Sequence, residues 1–401
     1  MLKKRIYKIG MVCLTRLAGV FYHNNKSSVI LFGARNGDYY MDNSRALFEW
    51  YVASGRKDFY WMTRSTEVYD LLKKNGLPVA RIDSLEGIRL LHQAKFAFYT
   101  NRLRDIAIDE RAVPKSLKMI FLSHGQSVKN TRLAVNDGVD VGYRKDTLKA
   151  SAQMAFAIST SPFMAGVQAL SNGLQPQDYK ITGFPRNDWM LNPPDEALAD
   201  WHKFTGGHKY SKVILYAPTW RRNEPKTIMF PFSDFDAVQL AGFITRNNML
   251  LLLRPHLQDL RDNGACKLVT RMLCALSPNN IRLATIDDFV EANYLLPFVD
   301  ALISDYSSIY HDFLLLKRPV YFIPYDLDSF DQVNGFKYPY KENLPGPILN
   351  NQLQMIREFD LLLKGVDLHE KRRVKLTNMI YTDVDGLACE RVATELENLT
   401  A

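Results

Sequence analysis

Residues 301–326 read ALISDYSSIYHDFLLLKRPVYFIPYD. A short apolar run ends at Asp305, Ser307 and Ser308 open an amphipathic stretch to about Lys317, and Arg318-Pro319 leads into a second apolar run. Strand, serine turn, helix and strand in that order predict a βαβ unit and a parallel sheet. Ligands of such sheets bind beyond the C-terminal ends of the strands. Asp305, Ser307 and Ser308 therefore stand where a ligand is expected. A helix starting there offers unpaired N–H groups and its positive end to an anion, and serine hydroxyls add donors. Serine at a helix start is also common capping chemistry, so the combination carries the specificity. Asp312, one turn beyond Ser308, is expected to face the site and accept from nucleotide ribose hydroxyls, and His311 is expected at the surface.

Outward from this stretch the same theme recurs. Apolar runs at SVILFGA (28–34), FYWMT (59–63), PVARI (78–82), KFAFYT (95–100) and KMIFLSHG (118–125) read as buried strands, with Ser44–Ser54 and Thr66–Asn75 as helices between them. The pattern restarts after a polar, Pro-containing stretch around Asn187–Gly207, with VILYAPTW (213–220), NMLLLLRPH (248–256), IRLAT (281–285), VDALISD (299–305) and PVYFIPYD (319–326). Strands alternating with helices predict α/β architecture. A chain of 401 residues exceeds what one core fills. Two Rossmann-like domains with a cleft between them are expected, residues 1–190 and 205–375.

The formal charge is +8, with 47% hydrophobic and 23% charged residues. The charge suits an anionic nucleotide, polymer or lipid surface. Neither a dense Lys/Arg run nor a nucleic-acid motif is present, so no nucleic-acid partner is expected. The four cysteines show no CxxC pair or zinc spacing and are expected as reduced thiols. No metal cage is expected around the Asp287-Asp288 pair. No apolar stretch is long enough to span a bilayer. Lys8 and Arg16 break the apolar run of residues 1–25, so no cleaved leader is expected. At helical period Ile6, Ile9, Cys13, Leu17 and Val20 share a face, with Lys4, Lys8 and Arg16 elsewhere. Two readings are open: a helix lying on anionic lipid, or one packed on its own domain.

Four further segments carry candidate chemistry. In FLSHGQSVKN (121–130), His124 and Gly125 follow a strand, with Gln126 and Lys129 beyond; a histidine there can act as general base. In ITGFPRND (181–188), Arg186, Asn187 and Asp188 follow a turn, read either as a hinge or as a phosphate contact by Arg186. In LYAPTWRRN (215–223), Thr219, Arg221 and Arg222 offer hydroxyl and guanidinium donors suited to phosphate. In LLLLRPH, Arg254 and His256 flank Pro255 after a strand, as a phosphate contact or acid/base group. Walker, dinucleotide-fingerprint, nucleophile-elbow and HExxH motifs are absent.

Taken in order, HGQSVKN, GFPRND, ILYAPTWR, LRPH, SDYSSIYHDF…KRP and the terminal YTDVDGLACERV resemble the CDP-glycerol glycerophosphotransferase family, the TagB/TagF-like enzymes of teichoic acid synthesis. The matches run from about residue 120 to 395. The resemblance implies a GT-B fold, with the nucleotide held mainly by the C-terminal domain and a closing helix, residues 376–401, returning to the N-terminal one. It implies transfer of an alditol phosphate, glycerol phosphate first, from a CDP-alditol to a hydroxyl of a glycan or polyol-phosphate acceptor, with CMP leaving. That acceptor is either lipid-linked or soluble, and the product is a teichoic acid-like or capsular polymer. The expected place is peripheral, at the cytoplasmic face of the membrane, and no cofactor is implied.

By the same resemblance His124 is the base and His256 a second essential histidine near the pyrophosphate. Ser307, Ser308 and Asp312 are donor residues, joined by Arg254, Thr219, Arg221 and Arg318. Gly125, Gln126, Lys129, Arg186 and Asn187 lie on the acceptor side or at a hinge. Gln126 departs from the family's usual threonine, which leaves cargo and acceptor open. Two alternatives remain: a GT-B glycosyltransferase using a sugar nucleotide, or a non-catalytic polymer- or membrane-binding protein.

Overall fold

A computed structural model describes residues 2–22, 29–135, 141–221, 226–256, 259–260 and 264–400, with side chains from Ile6 onward except Lys8. Two parallel sheets organise it. The first runs β3-β2-β1-β4-β5-β6-β7, built from β1 (Ile30–Phe32), β2 (Phe59–Thr63), β3 (Val79–Arg81), β4 (Phe96–Tyr99), β5 (Lys118–Phe121), β6 (Met154–Ser159) and β7 (Tyr179–Ile181). The second runs β10-β9-β8-β11-β12, from β8 (Val213–Tyr216), β9 (Leu250–Leu253), β10 (Ile281–Leu283), β11 (Ala301–Ser304) and β12 (Val320–Phe322). All strand pairs are parallel. In each sheet the order reverses once, between β1 and β4 and between β8 and β11.

The apolar runs mark ten of these strands. They do not mark β6, where Ala155, Ala157 and Ser159 dilute the signal, or β7, three residues long with Lys180 paired to Glu395 at 2.8 Å. Strand β9 is four leucines, all buried, as expected for a strand covered on both faces.

The chain divides into two compact units: Met1–His124, Thr131–Asp188 and Asp385–Ala401 form one, and Gly125–Asn130 with Trp189–Val384 the other. These limits differ from the sequence reading in three places. Trp189 packs edge-on against Tyr294 at 4.9 Å and Trp201 stacks on Phe298 at 5.0 Å, so residues 189–205 belong to the second unit. Helix Glu370–Ile380 also stays there, since its Arg373 donates to Lys317 O at 3.0 Å. The return to the first unit begins at Asp385, and helix Ala388–Asn398 is capped by Asp188, which accepts from the N–H groups of Ala388 and Cys389, both at 2.9 Å.

In the first unit, helix Asp42–Ala53 lays Phe48 and Tyr51 edge-on against Phe32, with ring centroids at 5.5 and 5.2 Å. Each such pair contributes about 0.5–1.5 kcal/mol beyond area burial. This aromatic packing fixes the start of the helix beside the strand ends. Helix Leu2–Tyr22 packs on helix Leu85–Gln93 through Val12 and Thr15, whose carbonyl contacts His92 Nε2 at 2.6 Å. Its Ile6, Ile9, Leu17 and Val20 are exposed, Leu17 by 64% and Val20 by 77%. The helix is thus both packed on its own unit and apolar on its outer face.

The third difference is Gly125–Asn130. This segment lies along residues 335–337: Asn130 N–H donates to Gly335 O at 3.0 Å, Lys337 N–H to Val128 O at 2.8 Å, and Lys129 bridges Phe336 in antiparallel fashion. His311 completes the anchor. Fully buried rather than at the surface, it donates from Nδ1 to Gln126 O at 3.0 Å and accepts at Nε2 from the Tyr338 hydroxyl at 2.7 Å. Burial, with Lys337 adding and the Gln126 carbonyl opposing, pushes its pKa down to about 4 from 6.5. The unfolded chain therefore takes up a proton that the native state refuses, and stability present above pH 6.5 is lost as pH falls towards 4. The full effect is roughly 3 kcal/mol. In denaturant titrations across that window, His311→Asn is expected to flatten the loss by about one proton's worth; an unchanged slope would contradict a buried neutral imidazole.

Candidate active site

In the first unit His124 follows β5 and sits beside the end of β4, its Nδ1 3.4 Å from Thr100 O. A carbonyl only accepts, so Nδ1 carries the proton and Nε2 keeps its lone pair. The support beneath it is buried and polar. Asn43 donates to Leu122 O at 2.9 Å and Ser123 O at 3.1 Å, and accepts from Arg186 N–H at 3.1 Å. Arg186 donates from Nη1 to Asp42 Oδ1 at 2.8 Å and to His124 O at 3.0 Å. Arg35 reaches Asp42 Oδ2 at 3.3 Å. Asp42 and Ser123 both hold left-handed backbone, φ 72° and 58°, a strain that persists only where surroundings enforce it.

Burial alone would raise the Asp42 carboxyl, but Arg186 and then Arg35 outweigh it and hold it below its ordinary value. Burial, then Arg35 and Arg132, push His124 down to about 3, with Asp42 opposing. His124 is neutral near pH 7.

At the β1/β4 reversal Asp105 is fully buried and accepts from the N–H groups of Asn36, Thr100 and Asn101 at 2.7, 2.9 and 2.7 Å. None of Asp42, Asn43, Arg35, Arg132 or Asp105 is marked by a motif. Their partners lie up to 144 positions away, and the one local hint is the polar run Asp42-Asn43-Ser44 ahead of a helix.

In the second unit the β8/β11 reversal is closed by Asp305, which accepts from Thr219 N–H at 2.8 Å and Tyr306 N–H at 2.7 Å. Thr219 Oγ1 is buried there with no hydrogen-bond partner among the described residues. His256, at the end of β9, is exposed, and its ring stacks on Trp220 at 5.3 Å, which brings it next to the Thr219 loop. Ser307 Oγ accepts from Ile309 N–H at 3.4 Å, and Ser308 precedes helix Ile309–Phe313, which a 3₁₀ turn extends to Leu316. Ser307, Ser308, Thr219 and His256 thus lie at strand ends within one unit. Among the described residues no group of three His, Cys, Asp or Glu side chains is placed to hold a metal.

Several residues read as ligand contacts hold the protein together instead. Buried Arg221 meets Asp305 Oδ2 at 2.5 Å and both oxygens of Asp326 at 2.8 and 3.0 Å; burial would lower its pKa, but these carboxylates hold it well above the ordinary value. Arg254 donates to the carbonyls of Ala284, Thr285 and Phe289 at 2.9–3.1 Å. Arg318 donates to Pro297 O and Val299 O, ahead of β11 and β12, so it lies at the opposite end of the sheet from Ser307.

Asp312, expected to face the site, is buried. Arg186 and Asn187 are buried, the former committed to Asp42 and the His124 carbonyl. Gly125 (φ 124°, open to glycine), Gln126 and Lys129 belong to the second unit, and Gln126 is fully buried, which withdraws it as a direct acceptor contact. Arg222 lies outside the described residues, as do the side chains of Lys4 and Lys8.

The chain is 26% identical over 388 residues to the teichoic acid glycerol-phosphate transferase of Staphylococcus aureus (strain NCTC 8325 / PS 47), covering 91% of this chain and 92% of that protein. It is 28% identical over 232 residues to the teichoic acid ribitol-phosphate polymerase TarL of the same organism, covering 56% of this chain and 38% of TarL. A solved structure of the wall teichoic acid polymerase TagF superposes with a TM-score of 0.75 at 21% identity, over 98% of this chain and 94% of that one, which shows a GT-B fold. Residues 17–398 match the family model for CDP-glycerol:poly(glycerophosphate) glycerophosphotransferase, and the chain belongs to that family.

Proposed function

We propose that the protein transfers glycerol phosphate from CDP-glycerol to a hydroxyl of a glycan or polyol-phosphate acceptor and releases CMP. The observation that carries this reading is the neutral His124, oriented through Nδ1 and held by the buried Asn43–Arg186–Asp42 support. Its Nε2 takes the proton of the acceptor hydroxyl. The freed oxygen forms a bond to the β-phosphorus as the bond from that phosphorus to the bridging oxygen breaks, and the electron pair leaves on CMP. Burial depresses His124 basicity most in the free protein, with Arg35 and Arg132 adding to it; an anionic substrate beside them offsets the arginines' part and makes the base stronger when it is needed.

Phosphoryl transfer asks the protein for positioning and charge neutralisation more than for covalent chemistry. Ser307, Ser308, Thr219 and His256 supply donors for the CDP end. In this reading the charge is met by side chains and backbone, and no resident metal or cofactor is invoked. The buried base support favours phosphotransfer over a polymer-binding role, since a binding protein has no use for an oriented neutral imidazole.

Replacing His124 by Ala is expected to lower CMP release by about 10²–10⁴-fold while CDP-glycerol affinity stays near that of the native protein. Turnover close to native would remove the base assignment.

We also infer that the enzyme works at an anionic membrane surface. No helix among the described residues is long and apolar enough to cross a membrane. The outer face of helix Leu2–Tyr22 nevertheless exposes Ile6, Ile9, Leu17, Val20 and Phe21, and the chain carries a formal charge of +8. An apolar helix face on a basic protein suits a lipid interface. The double substitution Leu17→Glu and Val20→Glu is expected to abolish co-sedimentation with phosphatidylglycerol vesicles without loss of folding. Undiminished binding by that variant would count against the inference.

A further inference from the structure

Two of the arginines expected to meet the donor's phosphates, Arg221 and Arg254, are spent within the second unit: Arg221 on Asp305 and Asp326, Arg254 on three carbonyls. A nucleoside diphosphate brings negative charge to the strand ends, and burying it without a cation is costly. Lys129 is the residue placed to answer that charge. Its segment is fixed by the Val128, Asn130 and Gln126 backbone bonds, and its bridge partner Phe336 stacks on Tyr340 at 4.8 Å and lies 5.7 Å from Tyr306. Tyr306 follows Asp305 directly, and the Tyr340 hydroxyl donates to Asp305 O at 3.1 Å. The pairing therefore delivers Lys129 to the loop that carries Asp305, Tyr306 and Ser307.

The ammonium makes no hydrogen bond or ion pair among the described residues, although Asp305 and Arg221 lie within electrostatic range. Burial lowers its pKa, Asp305 opposes and Arg221 adds; such a cation gains from an anion beside it. Thr219 is 6% exposed, its Oγ1 has no hydrogen-bond partner among the described residues, and its backbone N–H donates to the same Asp305 carboxylate.

We propose that Lys129 and Thr219 form a phosphate subsite of the second unit, which binds the diphosphate of the donor. Lys129 is thereby a donor-binding residue, not an acceptor-side one. The inference rests on the proposed CDP-glycerol reading for the identity of the nucleotide, but the subsite itself requires only a diphosphate.

The test uses the full chain with two probes, CDP-glycerol and inorganic pyrophosphate, followed by calorimetric titration and by thermal shift. Lys129→Met is expected to weaken both by roughly ten- to a hundredfold, to leave cytidine binding unchanged, and to keep the ligand-free melting temperature near native. Lys129→Arg is expected to restore most of the affinity, and Thr219→Val to weaken both probes to a smaller degree. If the native protein binds pyrophosphate through Lys129 but not CDP-glycerol, the subsite stands and the nucleotide reading falls. If Lys129→Met binds both probes as the native chain does, or if pyrophosphate fails to bind the native chain, the subsite is wrong.

Discussion

A parallel sheet that reverses its strand order leaves backbone N–H groups unpaired at the reversal, and buried donors of that kind must find acceptors. Both sheets of this protein meet the constraint with a buried aspartate. Asp105 gathers the N–H groups of Asn36, Thr100 and Asn101, and Asp305 those of Thr219 and Tyr306. Each carboxylate sets the path of the loops that carry functional groups: Thr100, whose carbonyl orients His124, and Thr219 with the Tyr306-Ser307 turn. At Asp305 the negative charge in turn needs a cation, and Arg221 supplies it while also binding Asp326 after β12. Removing either partner would strand a buried charge, a loss of about 3–5 kcal/mol in comparable cases.

This division of labour separates guanidinium groups that hold the fold from groups left to bind a ligand. Arg186, Arg221, Arg254 and Arg318 each donate to carboxylates or carbonyls of the protein. The groups proposed to meet the ligand are smaller or less basic: hydroxyls, a neutral imidazole, an exposed histidine and Lys129, whose ammonium makes no hydrogen bond or ion pair among the described residues. The strained backbone at Asp42 and Ser123 falls on the support of His124, where packing of helix Asp42–Ala53 on the Phe32 cluster holds it in place.

Much of this was legible in the sequence because it depends on local pattern. Apolar runs ending in polar residues mark ten strands, and the same pattern places His124, Thr219, His256 and Ser307 just beyond strand ends, where the structure has them. What escaped is what long-range pairing decides. An arginine after a strand reads as a phosphate ligand until Asp305 and Asp326, 84 and 105 residues away, claim it. His311 reads as a surface residue because its partners, Gln126 O and the Tyr338 hydroxyl, are distant in the chain or unremarkable in type. Lys129 reads as a neighbour of His124 by sequence, yet its segment pairs with residues 335–337 and belongs to the second unit. Periodicity carries no information about such partners.

In the proposed reaction the bond broken lies between the β-phosphorus and the oxygen bridging it to CMP. The most direct measurement is to give the purified chain CDP-glycerol, labelled in the cytidine and in the glycerol, together with a polyol-phosphate acceptor, and to identify both labelled products. The expected products are CMP and acceptor-joined glycerol phosphate in one-to-one ratio. Release of CDP, or appearance of glycerol on the acceptor without its phosphate, would contradict it.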